Sequence, residues 1–250
     1  MQSETVIKTN QLAKSYDGKT VLSDLSLSVT RGELVAVIGP SGAGKTTLLN
    51  LLALIEDPDG GTLLIDGQAP SKIKGRKQRA KKIGVIRQQF DLVNELAVIH
   101  NTLAGKLAEW GFFKSLFSLV FPREKNLAKQ ALTRVGLLDK MFTRTSKLSG
   151  GEQQRVAMAR LLLQKPEIIL ADEPVASLDP ARAEDVLSML TSLVREEQQT
   201  LVSSLHSVDY ARKYFTRIIG IRKGQILFDR PASAVTDAEL KSLYEIKELS

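Results

Sequence analysis

One short stretch limits what this chain can fold into more than any other: Gly39-Pro40-Ser41-Gly42-Ala43-Gly44-Lys45-Thr46 fits the pattern G-x-x-x-x-G-K-[ST]. The pattern has physical meaning only where a buried strand runs into a helix. The hydrophobic run "ELVAVI" at 33–38 predicts such a strand, and Leu48, Leu49, Leu51 and Leu52 recur afterwards as on a packed helix. Glycines 39, 42 and 44 let backbone N–H groups turn toward phosphate oxygens without side-chain obstruction, and the helix N-terminus adds a favourable dipole. Pro40, Ser41 and Ala43 complete the loop. Lys45 supplies charge at the β- and γ-phosphates of a nucleotide, Thr46 can place its hydroxyl on Mg²⁺, and Thr47 can bond near the α-phosphate.

The segments around this loop predict an α/β chain. "LSLSV" at 25–29 alternates like a half-buried strand, and "TLLID" and "KIGVI" read as further strands. Between about residues 94 and 165 helical patterns dominate, broken at Gly111, Pro122 and Gly136. Then come "EIILAD", a helix after Pro180, "TLVSSLH", a helix over 207–214, "RIIGI" and "QILFD". This alternation predicts a largely parallel sheet flanked by helices, preceded by a β-rich start. A chain of 250 residues, 43% hydrophobic and 25% charged, suits one globular unit.

Composition excludes several classes. There is no cysteine, so disulfides, thiolate chemistry and cysteine zinc sites are ruled out. Residues 1–10 lack both a basic start and an apolar run, so no signal peptide is expected. The most apolar window, "FFKSLFSLVF", is interrupted by Lys114 and falls well short of the roughly 20 residues that span a bilayer. The net charge of +7 is local: residues 72–87 hold eight Lys or Arg and no acid, leaving 27 basic against 28 acidic residues elsewhere. A solvated face is the ordinary reading of such a run, and contact with anionic lipid headgroups or a nucleic-acid backbone the sharper one. No interleaved aromatics or nucleic-acid fold motif accompany it, so no nucleic-acid partner is expected.

A phosphate loop alone fits a kinase, a GTPase or an ATPase. Asp172-Glu173 follow the apolar "IILA", which places two carboxylates at the C-terminal end of a buried strand, the edge where open α/β sheets bind ligands. Asp172 suits Mg²⁺ held through water, and Glu173 suits polarising a water that attacks the γ-phosphate, so hydrolysis is favoured over transfer. Then Ser149-Gly150-Gly151 repeats the chemistry of a phosphate grip at a predicted helix start, about a hundred residues after the first. Taken alone, it reads as a helix N-cap turn.

With Leu148, that stretch resembles the LSGGQ signature of the ATP-binding cassette (ABC) family, Glu152 standing where glutamine or glutamate is usual. The resemblance covers most of the chain: the phosphate loop, Gln88 after "KIGVI", "LSGGEQQRVAMAR", "ILADEP", "SLDP" at 177–180, and His206 after "TLVSSL". It implies a P-loop ABC ATPase cassette over 1–250, with a RecA-like parallel-sheet core and antiparallel β part in 1–88 and 166–250. An inserted helical subdomain with the signature would occupy about 89–165. In that family two cassettes pack head to tail, so Ser149, Gly150 and Gly151 would close over the ATP held by a partner's phosphate loop.

Other roles follow by the same resemblance. Tyr16 falls where an aromatic ring stacks on adenine, Gln88 where glutamine touches Mg²⁺ and the lytic water, Asp179 where an aspartate crosses the dimer interface, and His206 where histidine contacts the γ-phosphate. Arg87 stands where an apolar residue is common, and His100 matches nothing. The cofactors implied are ATP and Mg²⁺. One cassette with no fused membrane segment resembles the importer type: a homodimer bound peripherally at the cytoplasmic face of the inner membrane. Its partners would be integral permease subunits and, indirectly, a periplasmic or lipid-anchored solute-binding protein. "RQQFDLV", "LAGKLAEWGFF", "ILADEPVASLDP" and "LHSVDYARKYFTRIIGIRKGQILFD" are similar to phosphonate or phosphite importer ATPases. None of these residues should meet the transported solute, so an importer of another small solute, an exporter, or a non-transport ABC ATPase shares the catalytic set.

Overall fold

The computed structural model describes residues 4–87, 91–110 and 124–244. Its centre is a six-stranded sheet in the order β5-β6-β7-β3-β8-β9, formed by β3 (Leu34–Ile38), β5 (Ile83–Ile86), β6 (Ile168–Asp172), β7 (Thr200–Leu205), β8 (Arg217–Arg222) and β9 (Gln225–Pro231). All neighbours pair in parallel except β8 and β9, which form an antiparallel hairpin at one edge. The α/β class and the largely parallel sheet expected from the sequence are thus present. The hairpin is the exception, because the two-residue turn at Lys223-Gly224 is too short for a crossover.

The continuous hydrophobic runs have a direct cause. Every residue of β3 is buried, and its alternate side chains enter different cores. Leu34, Ala36 and Ile38 pack with the helices, whereas Val35 and Val37 pack with α1 (Lys45–Leu52) and the N-terminal sheet. A strand covered on both faces has no polar side to show. That N-terminal sheet is antiparallel, in the order β2-β1-β4, with β1 at Thr5–Tyr16, β2 at Lys19–Thr30 and β4 at Gly60–Ile65. Within β2, Leu25, Leu27 and Val29 are buried while Ser26 and Ser28 are exposed, which is the alternation of a sheet wet on one face.

Between β5 and β6 the described chain is helical: α3 (Val98–Leu103), α4 (Lys125–Arg134) and α5 (Gly150–Gln164). Val98, Ile99, Leu132, Val156 and Ala159 bury these helices together, in the same cluster that covers one face of the sheet. α5 reaches that sheet: Gln164 Nε2 donates to the carbonyls of Ala80 and Ile83 at 2.9 and 2.8 Å. Gly136 ends α4 at φ 69, while Gly111 and Pro122 lie outside the described residues.

The basic run forms α2 (Arg76–Lys82), which buries no side chain. Lys82 is paired with Asp66 and Glu167, and Arg87 with Asp91. Lys72, Lys74, Arg76, Lys77, Arg79 and Lys81 are exposed, as a solvated face requires. α6 (Pro180–Glu196), α7 (Val208–Tyr214) and α8 (Asp237–Tyr244) complete the fold, and no described helix is long and apolar enough to cross a membrane.

Candidate functional site

Because β3, β6 and β7 are parallel neighbours, their C-terminal ends carry the phosphate loop, the Asp172-Glu173 pair and His206 to one edge of the sheet. A cleft of about 610 Å³ opens there, lined by Ser41, Gly42, Ala43, Gly44, Lys45, Thr46, Thr47 and Glu173. Gly39 cannot carry a side chain, since a Cβ would stand 2.1 Å from the Ile221 carbonyl oxygen. Gly44 is the N-cap of α1 at φ 102, and no side chain caps this helix, which leaves its first-turn N–H groups to a ligand.

Lys45 is buried, and its Nζ donates to the carbonyls of Gly39 at 2.9 Å and Pro40 at 3.3 Å. Burial pushes its pKa down, and the nearby Glu173 and Asp172 carboxylates pull it back up. Thr46 Oγ1 donates to Asp172 Oδ1 at 3.3 Å, which puts two oxygen ligands side by side beneath the phosphate loop. Both residues also border an adjoining cavity of about 340 Å³ with Asn50, Arg87 and Asp91.

Glu173 turns out of the strand at φ 48, in the left-handed region that a side chain rarely adopts. The turn ends β6 and sets the carboxylate against His206, whose Nε2 is 2.6 Å from Glu173 Oε1. Glu173 lines the cleft and is mostly shielded, while its partner His206 is exposed. Tyr16 is exposed at the end of β1; its hydroxyl donates to the Glu56 carboxylate, and Lys14 Nζ lies 5.5 Å from its ring centroid. Gln88 lies outside the described residues. His100 is half-buried on α3, and burial lowers its pKa.

Ser149, Gly151 and Glu152 lie in a separate depression of about 270 Å³, with Lys140, Arg155 and Arg182, and this shares no lining residue with the first cleft. Ser149 is the N-cap of α5 in a full capping box. Its hydroxyl accepts from the Glu152 N–H at 3.3 Å, and the Glu152 carboxylate accepts from the Ser149 N–H at 2.8 Å. Gly150 and Gly151 occupy the first two helical positions. Asp179 caps α6, accepting from the Arg182 N–H at 3.1 Å, and it pairs with the Arg182 guanidinium.

Sequence reasoning missed part of the cleft. Lys19, Thr20, Val21 and Lys223 complete its lining, brought in from β2 and the β8–β9 turn. The turn is held there by Gly224, whose N–H donates to the Ala43 carbonyl at 3.1 Å. No local pattern announces such contacts, although Lys223-Gly224 between two strands does announce the turn.

The sequence model of the family described as "ABC transporter" matches residues 22–176. The chain is 43% identical over 245 residues to the Phosphonates import ATP-binding protein PhnC of Lactobacillus gasseri, covering 97% of this chain and 94% of that one. It is 46% identical over 236 residues to Phosphonates import ATP-binding protein PhnC 1 of Pseudomonas syringae pv. syringae, covering 94% and 89%. Among solved structures it is similar to an ATP-binding cassette in a dimeric post-hydrolysis state bound to ADP and Pi. That similarity has a TM-score of 0.78 and 30% identity, and it covers 90% of this chain and 98% of the other.

Proposed function

The chain belongs to the ABC transporter family, and from that premise we propose that it is the ATP-hydrolysing subunit of an importer for phosphonate or phosphite. The observation that carries the hydrolytic reading is the presence of Glu173 in the same cleft as Lys45, paired with His206. Relatives named as phosphonate import proteins, matched over nearly the whole chain, support the solute.

The residues divide the chemistry. Glycines 39, 42 and 44, with Pro40, Ser41 and Ala43, shape the loop around the phosphates, and Lys45 exchanges its carbonyl partners for phosphate oxygens. Tyr16 stacks on adenine at the outer end. Glu173 orients and polarises the attacking water, and His206 holds both the γ-phosphate and the Glu173 carboxylate in place. Water adds to the γ-phosphorus as the bond to the ADP oxygen breaks, giving ADP and phosphate. Thr46 and Asp172 fit Mg²⁺, being hard oxygen donors 3.3 Å apart that line one cavity. Those two residues, with Gln88, would hold the ion, which would supply charge neutralisation to the phosphates.

The signature Ser149, Gly150 and Gly151, with Asp179, completes the site of a second copy in a head-to-tail dimer. The chain is one cassette, with its core in 1–88 and 166–250 and the helical part over about 89–165. It works at the cytoplasmic face of the inner membrane, bound to permease subunits that receive solute from a binding protein.

Replacing Glu173 with Gln tests the hydrolytic reading, because shape and hydrogen bonding persist while the charge that polarises water is lost. Turnover should fall by about 10² to 10⁴-fold with ATP still bound, and ATP should trap a dimer on size exclusion. A loss smaller than about tenfold would assign water activation to another residue. The solute is tested with permease and binding protein reconstituted in vesicles. Methylphosphonate or phosphite should stimulate ATP hydrolysis, and stimulation by an unrelated solute alone would reassign the importer.

A further inference from the structure

Ser204 stands one residue before the C-terminal end of β7, fully buried and directly opposite Asp172 in the parallel register. Its hydroxyl donates to Asp172 Oδ1 at 2.6 Å and accepts from the Glu173 N–H at 2.8 Å. A serine hydroxyl has one proton to give, so the donation to Asp172 turns its lone pairs toward Glu173. The adjacent Ser203 provides a contrast. It is equally buried, yet its hydroxyl is used on the Ser204 carbonyl at 3.3 Å and meets neither carboxylate residue.

The bridge sits where the backbone changes course. β6 ends at Asp172, and Glu173 enters the left-handed region at φ 48, a conformation that costs a non-glycine residue free energy unless its surroundings hold it. As Glu173 leaves the strand, its N–H is taken by the Ser204 side chain. The same hydroxyl fixes Asp172 Oδ1, the oxygen that also accepts from Thr46. One buried group therefore ties together the residue beside the phosphate loop and the residue paired with His206.

We propose that Ser204 is a positioning residue for hydrolysis, locking the Asp172 carboxylate and the Glu173 turn into one unit. This rests on the roles proposed above for Asp172 and Glu173. It explains how two consecutive carboxylates can serve different ends: one hydroxyl holds the first by its side chain and the second by its backbone, which frees the Glu173 carboxylate for His206 and water.

Three variants separate a hydroxyl effect from a packing effect: Ser204→Ala, Ser204→Val and Ser204→Thr. Valine matches threonine in shape and lacks only the hydroxyl. In Ser204→Ala and Ser204→Val, kcat should fall at least about tenfold while KM for ATP stays within about threefold, and Ser204→Thr should keep at least about a third of the parental kcat. Amide exchange at Glu173, followed by NMR on the nucleotide-free protein, should accelerate at least about fivefold in the alanine and valine variants and not in the threonine variant. If valine prevents folding, alanine carries both comparisons. The proposal is overturned if the hydroxyl-free variants keep kcat within about threefold, if threonine falls as far as valine, or if Glu173 exchange does not change. Amide exchange needs no turnover, so an inactive parent protein would sink the hydrolytic reading and leave the bridge testable.

Discussion

Two helices of this protein start on glycine-rich stretches, and they start in opposite ways. α1 begins from Gly44 in a left-handed conformation with no side-chain cap, and its first residues line a cleft that Lys19, Lys45 and Lys223 also border. α5 begins from Ser149 at φ −66 with both halves of a capping box in place. The first start leaves its amides to a ligand and surrounds them with cations. The second satisfies two donors by itself and holds the Glu152 carboxylate at its N-terminus, which a phosphate arriving alone would meet as like charge. The cations near it are partly committed, Arg155 to Asp185 and Arg182 to Asp179. A glycine-rich helix start is thus not one kind of site. The second can serve a phosphate only when another surface brings the charge, which is what the composite site proposed between two copies would supply.

The largest expected effect breaks that asymmetry directly. In the isolated chain, Lys45→Ala removes a buried ammonium beside the phosphate loop. A hydrogen bond to a charged group contributes about 1.5–3 kcal/mol, so nucleotide affinity should weaken by roughly 10- to 150-fold. Ser149→Ala in the same isolated chain should leave affinity within about threefold. Both are read by titrating a fluorescent ATP analogue at protein concentrations below dimerisation. Equal losses would mean that the two helix starts grip the same nucleotide.

How much of this was legible in the sequence differs between the two starts. Everything from "ELVAVI" to Leu52 could be read along the chain, because the strand, loop and helix are consecutive and their burial follows from composition. Asp172, Glu173 and His206 were also legible, since each ends a hydrophobic run. Ser204 was not. Its part depends on register between β6 and β7, and in a strand that reads "TLVSSL" neither serine differs locally from the other. The left-handed turn at Glu173 and the approach of Lys223 are likewise set by tertiary pairing rather than by neighbours in sequence. At the second start the S-x-x-E spacing of Ser149 and Glu152 stood in plain view, and its meaning as a capping box emerged from the geometry.

A mixed-subunit experiment sharpens the comparison at the level of the dimer. One copy carries Lys45→Ala and the other Ser149→Arg. In a head-to-tail dimer both lesions fall on one composite site, leaving the other whole, so a heterodimer should bind one ATP and cross-link at the intact interface. If the signature served its own chain, each copy would hold one damaged site. Two equally weakened sites, measured by equilibrium binding to purified heterodimer, would end the composite reading.

The smallest effect concerns the cap itself. Removing an N-cap hydroxyl costs about 1 kcal/mol, so Ser149→Ala should lower the unfolding temperature by roughly 2–4 °C in a chain of this size. The Glu152 half of the box makes a finer statement, because it carries a sign. The Ser149 N–H holds the Glu152 carboxyl below its ordinary value, helped by the Ser149 side chain and the nearby Lys140 and Arg155 cations. A carboxyl whose pKa is depressed on folding stabilises the fold above its unfolded pKa, and that contribution is lost as pH falls through the folded value. Glu152→Gln can still accept from the Ser149 N–H but has no charge to titrate. The parent should therefore be the more stable protein at neutral pH, and the gap between the two should narrow as pH drops below the unperturbed value of about 4.3. Denaturant unfolding of both proteins across that interval measures it. A gap that stays constant or widens on acidification would show that the carboxylate is not what closes the start of α5, and the contrast with the uncapped start of α1 would then rest on Ser149 alone.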